Sequence, residues 1–396
     1  MIRRRYGLYN LSERGEIILA KDINQDKFSE ETKLKLQIFA ECFREWIPVF
    51  IHDPHTKGVF IFDFFAGTGK DSEGNSGSPL ILLSEAKGQD CKYCNTVKKN
   101  KKQIYFTFNE KIESKFDELK NNIETYIKQC VKQNNCGERC VYQYRCNQKE
   151  FKEALQDEIL KKYLSDKDYA KFALLDQYGF SQVDEQVFLK LVSSPKTDFI
   201  FFISSSFINR FKELSSTKQY FDTNKIHFDE ERPMDCHRLI TEYYRNLIPQ
   251  DKEYYLHHFT IKKGVNYWGL IFGTNHSLGM EKFLKVCWAQ DSQSGEANFS
   301  IENDYLKDEL FYDENNTVKL LKIKNEIRQK ILSCEIADNK TGLKYALIRG
   351  CLPELFTTVV KEMEKENRIK RTGDINYASV NIHKVRKYNI SLLGGI

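Results

Sequence analysis

Phe62-Asp63-Phe64-Phe65-Ala66-Gly67-Thr68-Gly69 is the stretch on which the fold turns. Residues 59–65 are apolar except for Asp63, the pattern of a parallel strand buried under helices on both faces. The glycines that follow let backbone N–H groups approach a ligand closely and tolerate positive φ. In open α/β sheets, ligands bind beyond the carboxyl ends of the strands, at such a turn. Asp63 sits near that end, placed to bind the loop backbone or the ammonium of a methionine moiety. Gly77-Ser78-Pro79 then opens a helix to Lys87, with proline early, where its missing N–H is harmless. Strand, loop and helix together predict a nucleotide-type cofactor site, with S-adenosylmethionine as the preferred ligand.

Outward from this unit, strands and helices alternate. Upstream, Leu34, Ile38, Cys42, Trp46 and Val49 recur at helical spacing and predict an amphipathic helix over 31–50. Downstream, strands are predicted at 104–108, 141–145, 172–175 and 199–203, with helices at 111–128, 149–163 and 183–192. This alternation predicts a doubly wound α/β sheet. Two further strands, 254–261 and 267–272, flank Lys262-Lys263-Gly264 and read as an antiparallel hairpin closing the sheet. Helices at 318–332, 343–349 and 354–366 come next. A basic tip (Arg368, Lys370, Arg371, Gly373) and a return strand at 375–380 complete a winged-helix plan. Contact with nucleic acid and a structural or protein-binding role stand equal for it. The expected domains are an extension over 1–30, a main domain over 31–312 with a Cys-rich insertion at about 88–146, and a winged-helix-like domain over 313–396.

Composition sets bounds on these readings. The chain has 396 residues, 41% hydrophobic and 30% charged, with 28 Phe and 21 Tyr to build a large core. A formal net charge of +5 permits nucleic-acid contact without arguing for it. The basic amino terminus lacks the apolar stretch of a signal peptide, and no run approaches the roughly 18 apolar residues of a membrane span. A cytoplasmic protein is expected, whose eleven cysteines are thiols or metal ligands sooner than disulfides.

The cofactor-binding set is Asp63, Phe65, Ala66, Gly67 and Gly69, with Glu110 at the end of the second strand to hold ribose hydroxyls. About forty residues separate loop from acid, against roughly twenty in a simple dinucleotide unit, so an insertion must intervene. Asp176 and Tyr178, in Asp176-Gln177-Tyr178-Gly179 at the end of the fourth strand, are the catalytic candidates. Asp176 would accept a hydrogen bond from an amine or hydroxyl nucleophile, and Tyr178 would pack on a flat substrate. Ser204-Ser205-Ser206 on the same edge lines the pocket or caps a helix.

Cys91 and Cys94 form a C-x2-C, followed by Cys130, Cys136, Cys140 and Cys146. Two thiol clusters in such a chain point to a metal site. The connections return Cys91, Cys94, Cys130, Cys136 and Cys140 to the amino edge of the sheet, whereas Cys146 ends on the opposite edge. Cys91, Cys94, Cys136 and Cys140 are the expected ligands, with Cys130 or Cys146 replacing one if the third strand lies elsewhere. Zinc is preferred, an iron–sulfur cluster is the alternative, and the role is structural. Cys42, Cys287, Cys334 and Cys351 read as core. Lys92, Lys98, Lys99, Lys101 and Lys102 form a solvated loop or a nucleic-acid contact. The adjacent His257-His258 face opposite ways in a strand and build no nuclease centre.

Several segments resemble the three-Cys-motif partner (TcmP) family. They are Lys35 to Trp46-Ile47-Pro48, Asp63 to Gly69, Gly77-Ser78-Pro79-Leu80, Asp176 to Gly179, Asn209-Arg210-Phe211, and Tyr267 through Gly279-Met280 to Trp288. The resemblance spans roughly residues 30–290. It implies a Rossmann-like class I methyltransferase fold, encoded beside a radical-SAM-like partner that carries the three cysteines, in a mobile-element or phage-defence setting. Where the family has Asp-Pro-Phe-Gly, this chain has Asp176-Gln177-Tyr178-Gly179, without the proline that shapes an amino-methyltransferase substrate loop. The resemblance thus also admits a methyltransferase-fold partner or regulator without catalysis.

Overall fold

The computed structural model describes residues 27–134, 136, 140–177, 182–204, 226, 232–304, 313, 316–373 and 382–393, and the backbone of 9–11 and 17–19. The chain divides into two compact units, Met1–Thr197 with Phe201–Phe228, and Asp198–Ile200 with Asp229–Ile396. The helices after residue 313 therefore share a unit with the hairpin expected to belong to the main domain.

In the first unit, β1 (Tyr9–Leu11) and β2 (Ile17–Leu19) pair antiparallel. Then come α1 (Glu30–His52), β3 (Gly58–Asp63), α2 (Ser78–Lys87), α3 (Lys92–Lys99), β4 (Gln103–Asn109), α4 (Glu113–Gln133) and β5 (Gln143–Asn147). They are followed by α5 (Phe151–Gln156), α6 (Glu158–Ser165), β6 (Tyr169–Leu175) and α7 (Glu185–Ser193), and the residues of β7 (Thr197–Ile203) are divided between the two units. The second unit continues with α8 (Cys236–Leu247), β8 (Tyr255–Lys263), β9 (Asn266–Thr274), α9 (Ser277–Gln290), α10 (Val318–Leu332), α11 (Asn339–Ile348), α12 (Glu354–Lys365), β10 (Ile369–Arg371) and β11 (Ile390–Leu392). Seven strands make one mixed sheet in the order β5-β4-β3-β6-β7-β9-β8. β3 runs parallel to β4 and β6, β4 parallel to β5, and β8 antiparallel to β9. This is the doubly wound order with a terminal hairpin, as expected for a Rossmann-like methyltransferase sheet.

Every residue of β3 is buried, because helices cover both its faces. Phe43 and Trp46 of α1 pack on Phe172 of β6, with ring centroids 5.3 and 5.2 Å apart. Phe60 stacks on Tyr163 of α6 at 4.1 Å and on Tyr169 at 4.6 Å. α1 begins where the Ser29 side chain accepts from Thr32 N–H, with Glu30 and Glu31 in the first turn to favour the helix dipole. The helix expected over 149–163 is two helices. The Asp157 carboxylate accepts from Ile159 and Leu160 N–H and starts α6 anew. The third strand, expected at 141–145, lies two residues later.

The hairpin of β8 and β9 turns at Gly264, whose φ is 58°, and Lys263 pairs with Asn266. After α10, α11 and α12, β10 pairs antiparallel with β11, Ile369 opposite Leu392. The strand expected at 375–380 lies outside the described residues. Cys42, Cys287 and Cys351 are buried as expected, but Cys334 is exposed. It follows the last turn of α10 in a left-handed conformation, φ 61°, beyond the helix's apolar stripe. Among the described residues no helix is long and apolar enough to cross a membrane.

A buried ion cluster ties α8 and α10 to the segment after α9. Glu296 meets Lys319 Nζ at 2.6 Å and Arg238 Nε at 2.7 Å, and Lys319 Nζ also donates to the carbonyl of Ser294 at 2.6 Å. Burial pushes the Glu296 carboxyl up. Lys319, His258 and Arg238 outweigh it and hold the group well below the usual carboxylate range. Lys319→Met leaves that carboxylate short of a counter-charge and should cost about 3–5 kcal/mol, read by denaturant unfolding. The Glu296 contribution is present above the unfolded pKa of about 4.3 and is lost as pH falls through the depressed folded value. Unfolding of the wild type should therefore steepen in acid, and Glu296→Gln should flatten that dependence.

Candidate functional site

The glycine loop continues the ladder before leaving it. Phe64 N–H donates to Leu174 O of β6 at 3.0 Å, and Ala66 N–H to Asn109 O of β4 at 3.0 Å. Gly67 and Gly69 then take φ of 60° and 82°, which favours glycine at both positions. Gly77, at the start of α2, donates to Gly69 O at 2.8 Å. A Cβ at Gly77 would stand 3.2 Å from the Gly69 backbone. From α4, Asn122 Nδ2 donates to Thr68 O at 2.9 Å.

Asp63 anchors this turn. Its Oδ2 accepts from Ser78 Oγ at 2.7 Å and its Oδ1 from Phe65 N–H at 3.2 Å. Of the two roles expected for it, the structure displays the one that binds loop backbone. Burial pushes its carboxyl up to about 7 against these two hydrogen bonds, and the neighbouring carboxylates of Asp176 and Glu110 add to the rise. Glu110 is buried, accepting from Gly67 N–H at 3.1 Å and from Ile112 N–H at 2.9 Å. Each of its oxygens accepts one backbone N–H, so Glu110 ties the loop to the end of the neighbouring strand. Phe65 lies against Phe151 of α5, ring centroids 5.0 Å apart, and Ala66 is buried.

Asp176 emerges from β6, beside β3, on the same edge. Its Oδ2 pairs with Lys35 Nζ of α1 at 2.6 Å, and that ammonium lies 4.7 Å from the Phe202 ring centroid. Gln177 is buried. Its Oε1 accepts from Gln182 and Val183 N–H at 2.8 and 3.3 Å, while its Nε2 has no hydrogen-bond partner. Tyr178 lies outside the described residues, as do Ser205 and Ser206.

Three contributors were missed from sequence. Lys35 needed a tertiary contact across the first unit. Ser78 was read only as part of a helix start. Asp71 accepts from the N–H groups of Phe28, Glu73 and Asn75 and from Asn75 Nδ2, at 2.8–3.0 Å. Asp71-Ser72-Glu73-Gly74-Asn75 carries an Asx-turn signal that would have marked it.

The expected metal ligands also come together in part. Cys94, Cys136 and Cys140 line one small cavity with Cys130, and Cys91 has Cys136 and Cys130 among its neighbours. Cys146 stands apart in β5, opposite Phe108, with Glu124 and Lys120 as its charged neighbours. Among the described residues no three or more His, Cys, Asp or Glu side chains form a group that could hold a metal ion.

No protein-family model matches this chain, and the search of curated proteins found no significant match. Among solved structures it is similar to Trm1 from Pyrococcus horikoshii in complex with S-adenosyl-L-methionine, with a TM-score of 0.37 and 10% identity. That likeness covers 71% of this chain and 66% of that one, just under two thirds of its length. It is also similar to the B. subtilis M1A22 tRNA methyltransferase TrmK, with a TM-score of 0.29 and 13% identity over 86% and 98% of the two chains. The putative methyltransferase yhhF from Escherichia coli gives 0.29 and 13% over 65% and 92%. At these TM-scores the likenesses decide nothing by themselves. The Rossmann-like α/β class follows from strand order and parallel pairing.

Ser78→Ala should destabilise the protein by about 1–3 kcal/mol, because a buried acceptor loses its donor. It should also raise the Asp63 pKa above about 7, since the lost hydrogen bond favoured the ionised form. Carboxyl NMR titration reads the second effect. With a folded pKa above the unfolded value of about 3.9, the Asp63 contribution is full below that value and is lost as pH rises through the folded one. Asp63→Asn should remove this dependence.

Proposed function

We propose that the loop from Asp63 to Gly69 binds S-adenosylmethionine and that the chain transfers its methyl group. The observation that carries this reading is the anchored loop at the carboxyl end of the central strand β3. It has two left-handed glycines, and Asp176 follows the end of the neighbouring strand β6. In doubly wound sheets the crevice at this switch in strand order is where nucleotide-type ligands lie. Gly67 and Gly69 would let the backbone approach the cofactor, Asp63 would hold the loop in place, Glu110 would hold the loop and meet the ribose hydroxyls, and Phe65 and Ala66 would line the site. Bound there, the sulfonium supplies an electrophilic methyl group, so the protein's task is positioning. Asp176 orients the amine or hydroxyl nucleophile, and Tyr178 packs against it.

Nucleic acid is the proposed substrate class, and the basic winged-helix-like end the element that would meet it. The proposed setting is cytoplasmic, beside a three-Cys-motif partner in a phage-defence or mobile-element context, as the family resemblance suggests. A second reading is a methyltransferase-fold partner or regulator that binds cofactor without turnover. The ion pair of Asp176 with Lys35 favours it, as does Gln177 in the place of the family's proline.

Calorimetry should register S-adenosylmethionine binding to the wild type and none to Gly67→Arg. Absence of heat with wild type at millimolar cofactor would sink both readings. Tritium transfer from labelled cofactor to tRNA, rRNA, DNA or the partner separates them. Enzyme predicts incorporation that Asp176→Asn lowers about a hundredfold or more, whereas a regulator binds and transfers nothing.

A further inference from the structure

Residues 87–102 hold six lysines and a single acid, Asp90. This short stretch carries a net charge as large as the +5 of the whole chain, and the rest balances to neutrality. The fold turns the run into a fixed surface. α3 buries Cys94 and Val97 and packs on α1 and α2. Its far end is tied to the close of α1. Asn100 Nδ2 donates to Ile51 O at 2.9 Å, and Lys102 Nζ donates to Asp53 O at 2.6 Å and to Thr56 O. Lys102 therefore serves the fold, and little of this segment is left to be ordered by a ligand.

Lys92, Lys98, Lys99 and Lys101 are exposed, and among the described residues none of the four is paired with a carboxylate. Lys98 and Lys99 lie in the last turn of α3, where cations favour the helix dipole. That accounts for two. Lys92 opens the helix, where the dipole disfavours a cation, and Lys101 lies beyond it in left-handed backbone, φ 52°. Gln103, two residues on, starts β4 opposite Gly58, the first residue of β3. The lysines therefore stand at the amino edge of the sheet, whereas the glycine loop leaves the carboxyl edge. β3 has six residues, so about 20 Å separates the two edges. A single nucleotide is too short to meet both, but a polyanion is not.

We propose that Lys92, Lys98, Lys99 and Lys101 grip the phosphate backbone of an RNA stem whose unpaired bases reach the loop from Asp63 to Gly69. The destination of those bases rests on the loop being the methyl-transfer site proposed above; the phosphate contact does not. Ammonium groups on flexible stems act as point charges that hold phosphates without reading sequence. The patch thus positions the RNA and leaves selection of the base to the other edge. A hairpin supplies both parts, a rigid run of paired phosphates and bases already out of the stack. In a continuous DNA duplex the target base would first have to be flipped out.

Fluorescence anisotropy of the full-length protein with a labelled RNA hairpin, and no cofactor, reads this contact apart from methyl transfer. Lys98→Gln with Lys99→Gln should weaken binding about tenfold or more. Lys262→Gln with Lys263→Gln removes the same charge from exposed positions on the hairpin of β8 and β9, and should change binding less than about twofold. Substituting all four lysines should lower the slope of log Kd against log salt by about three, since each phosphate contact contributes about 0.7–0.9. Gly67→Arg should still bind the hairpin, which tells failure of the loop reading from failure of this one. Where a variant fails to fold, the wild type still decides. Bound RNA should shield Lys98 and Lys99 from acetylation while Lys263 reacts. Equal losses in the two charge-matched pairs, no shielding of the α3 lysines, or a DNA duplex of equal length bound as tightly as the hairpin would overturn the proposal.

Discussion

The carboxylate of Asp63, buried at the end of the central strand, is the group on which the arrangement of the site depends. A strand covered on both faces cannot leave a charge there unanswered. Ser78 from the start of α2 and Phe65 N–H from the loop answer it. Because one oxygen binds the loop and the other the helix start, strand, loop and helix hold one geometry. Glu110 does the same from the neighbouring strand through Gly67 N–H. The left-handed glycines between these two anchors then have little freedom left.

This construction places three carboxylates, Asp63, Glu110 and Asp176, at one edge of the sheet, where Asp176 and Glu110 add to the cost of ionising Asp63. The protein relieves it unequally. Asp176 is paired with Lys35, Glu110 is held by two backbone N–H groups, and Asp63 is left with its pKa near 7. The same logic recurs in the second unit, where Glu296 is gathered by Lys319 and Arg238. There cations outnumber the acid, and the carboxyl is driven the other way. Burial sets the direction at Asp63, whereas at Glu296 the neighbouring cations outweigh it.

The division of the chain also follows from such contacts. The sequence places a boundary near residue 313, where composition changes. Lys319, however, reaches back from α10 to Glu296, Ser294 and the carbonyl of Gly350, and it stands over the Trp288 ring. A buried ion pair joining segments on either side of residue 313 makes them one compact body. Nothing in the local pattern of either segment announces its partner.

What the sequence by itself determined was whatever depends on short-range pattern. The continuous apolar run of 59–65 declared a strand buried on both faces, and the helical spacing of Ile38, Cys42 and Trp46 declared a helix. The glycine loop marked the candidate site at Gly67 and Gly69, and the hairpin around Gly264 was legible from its turn. Only the tertiary structure decided which distant groups meet. Lys35 on Asp176, Glu110 on the loop N–H, Lys319 on Glu296 and Cys130 among the thiols are such pairings. Charge pairing and thiol convergence act through space between residues tens to hundreds of positions apart. A chain pattern records each group's chemistry but not the distance that gives it a partner.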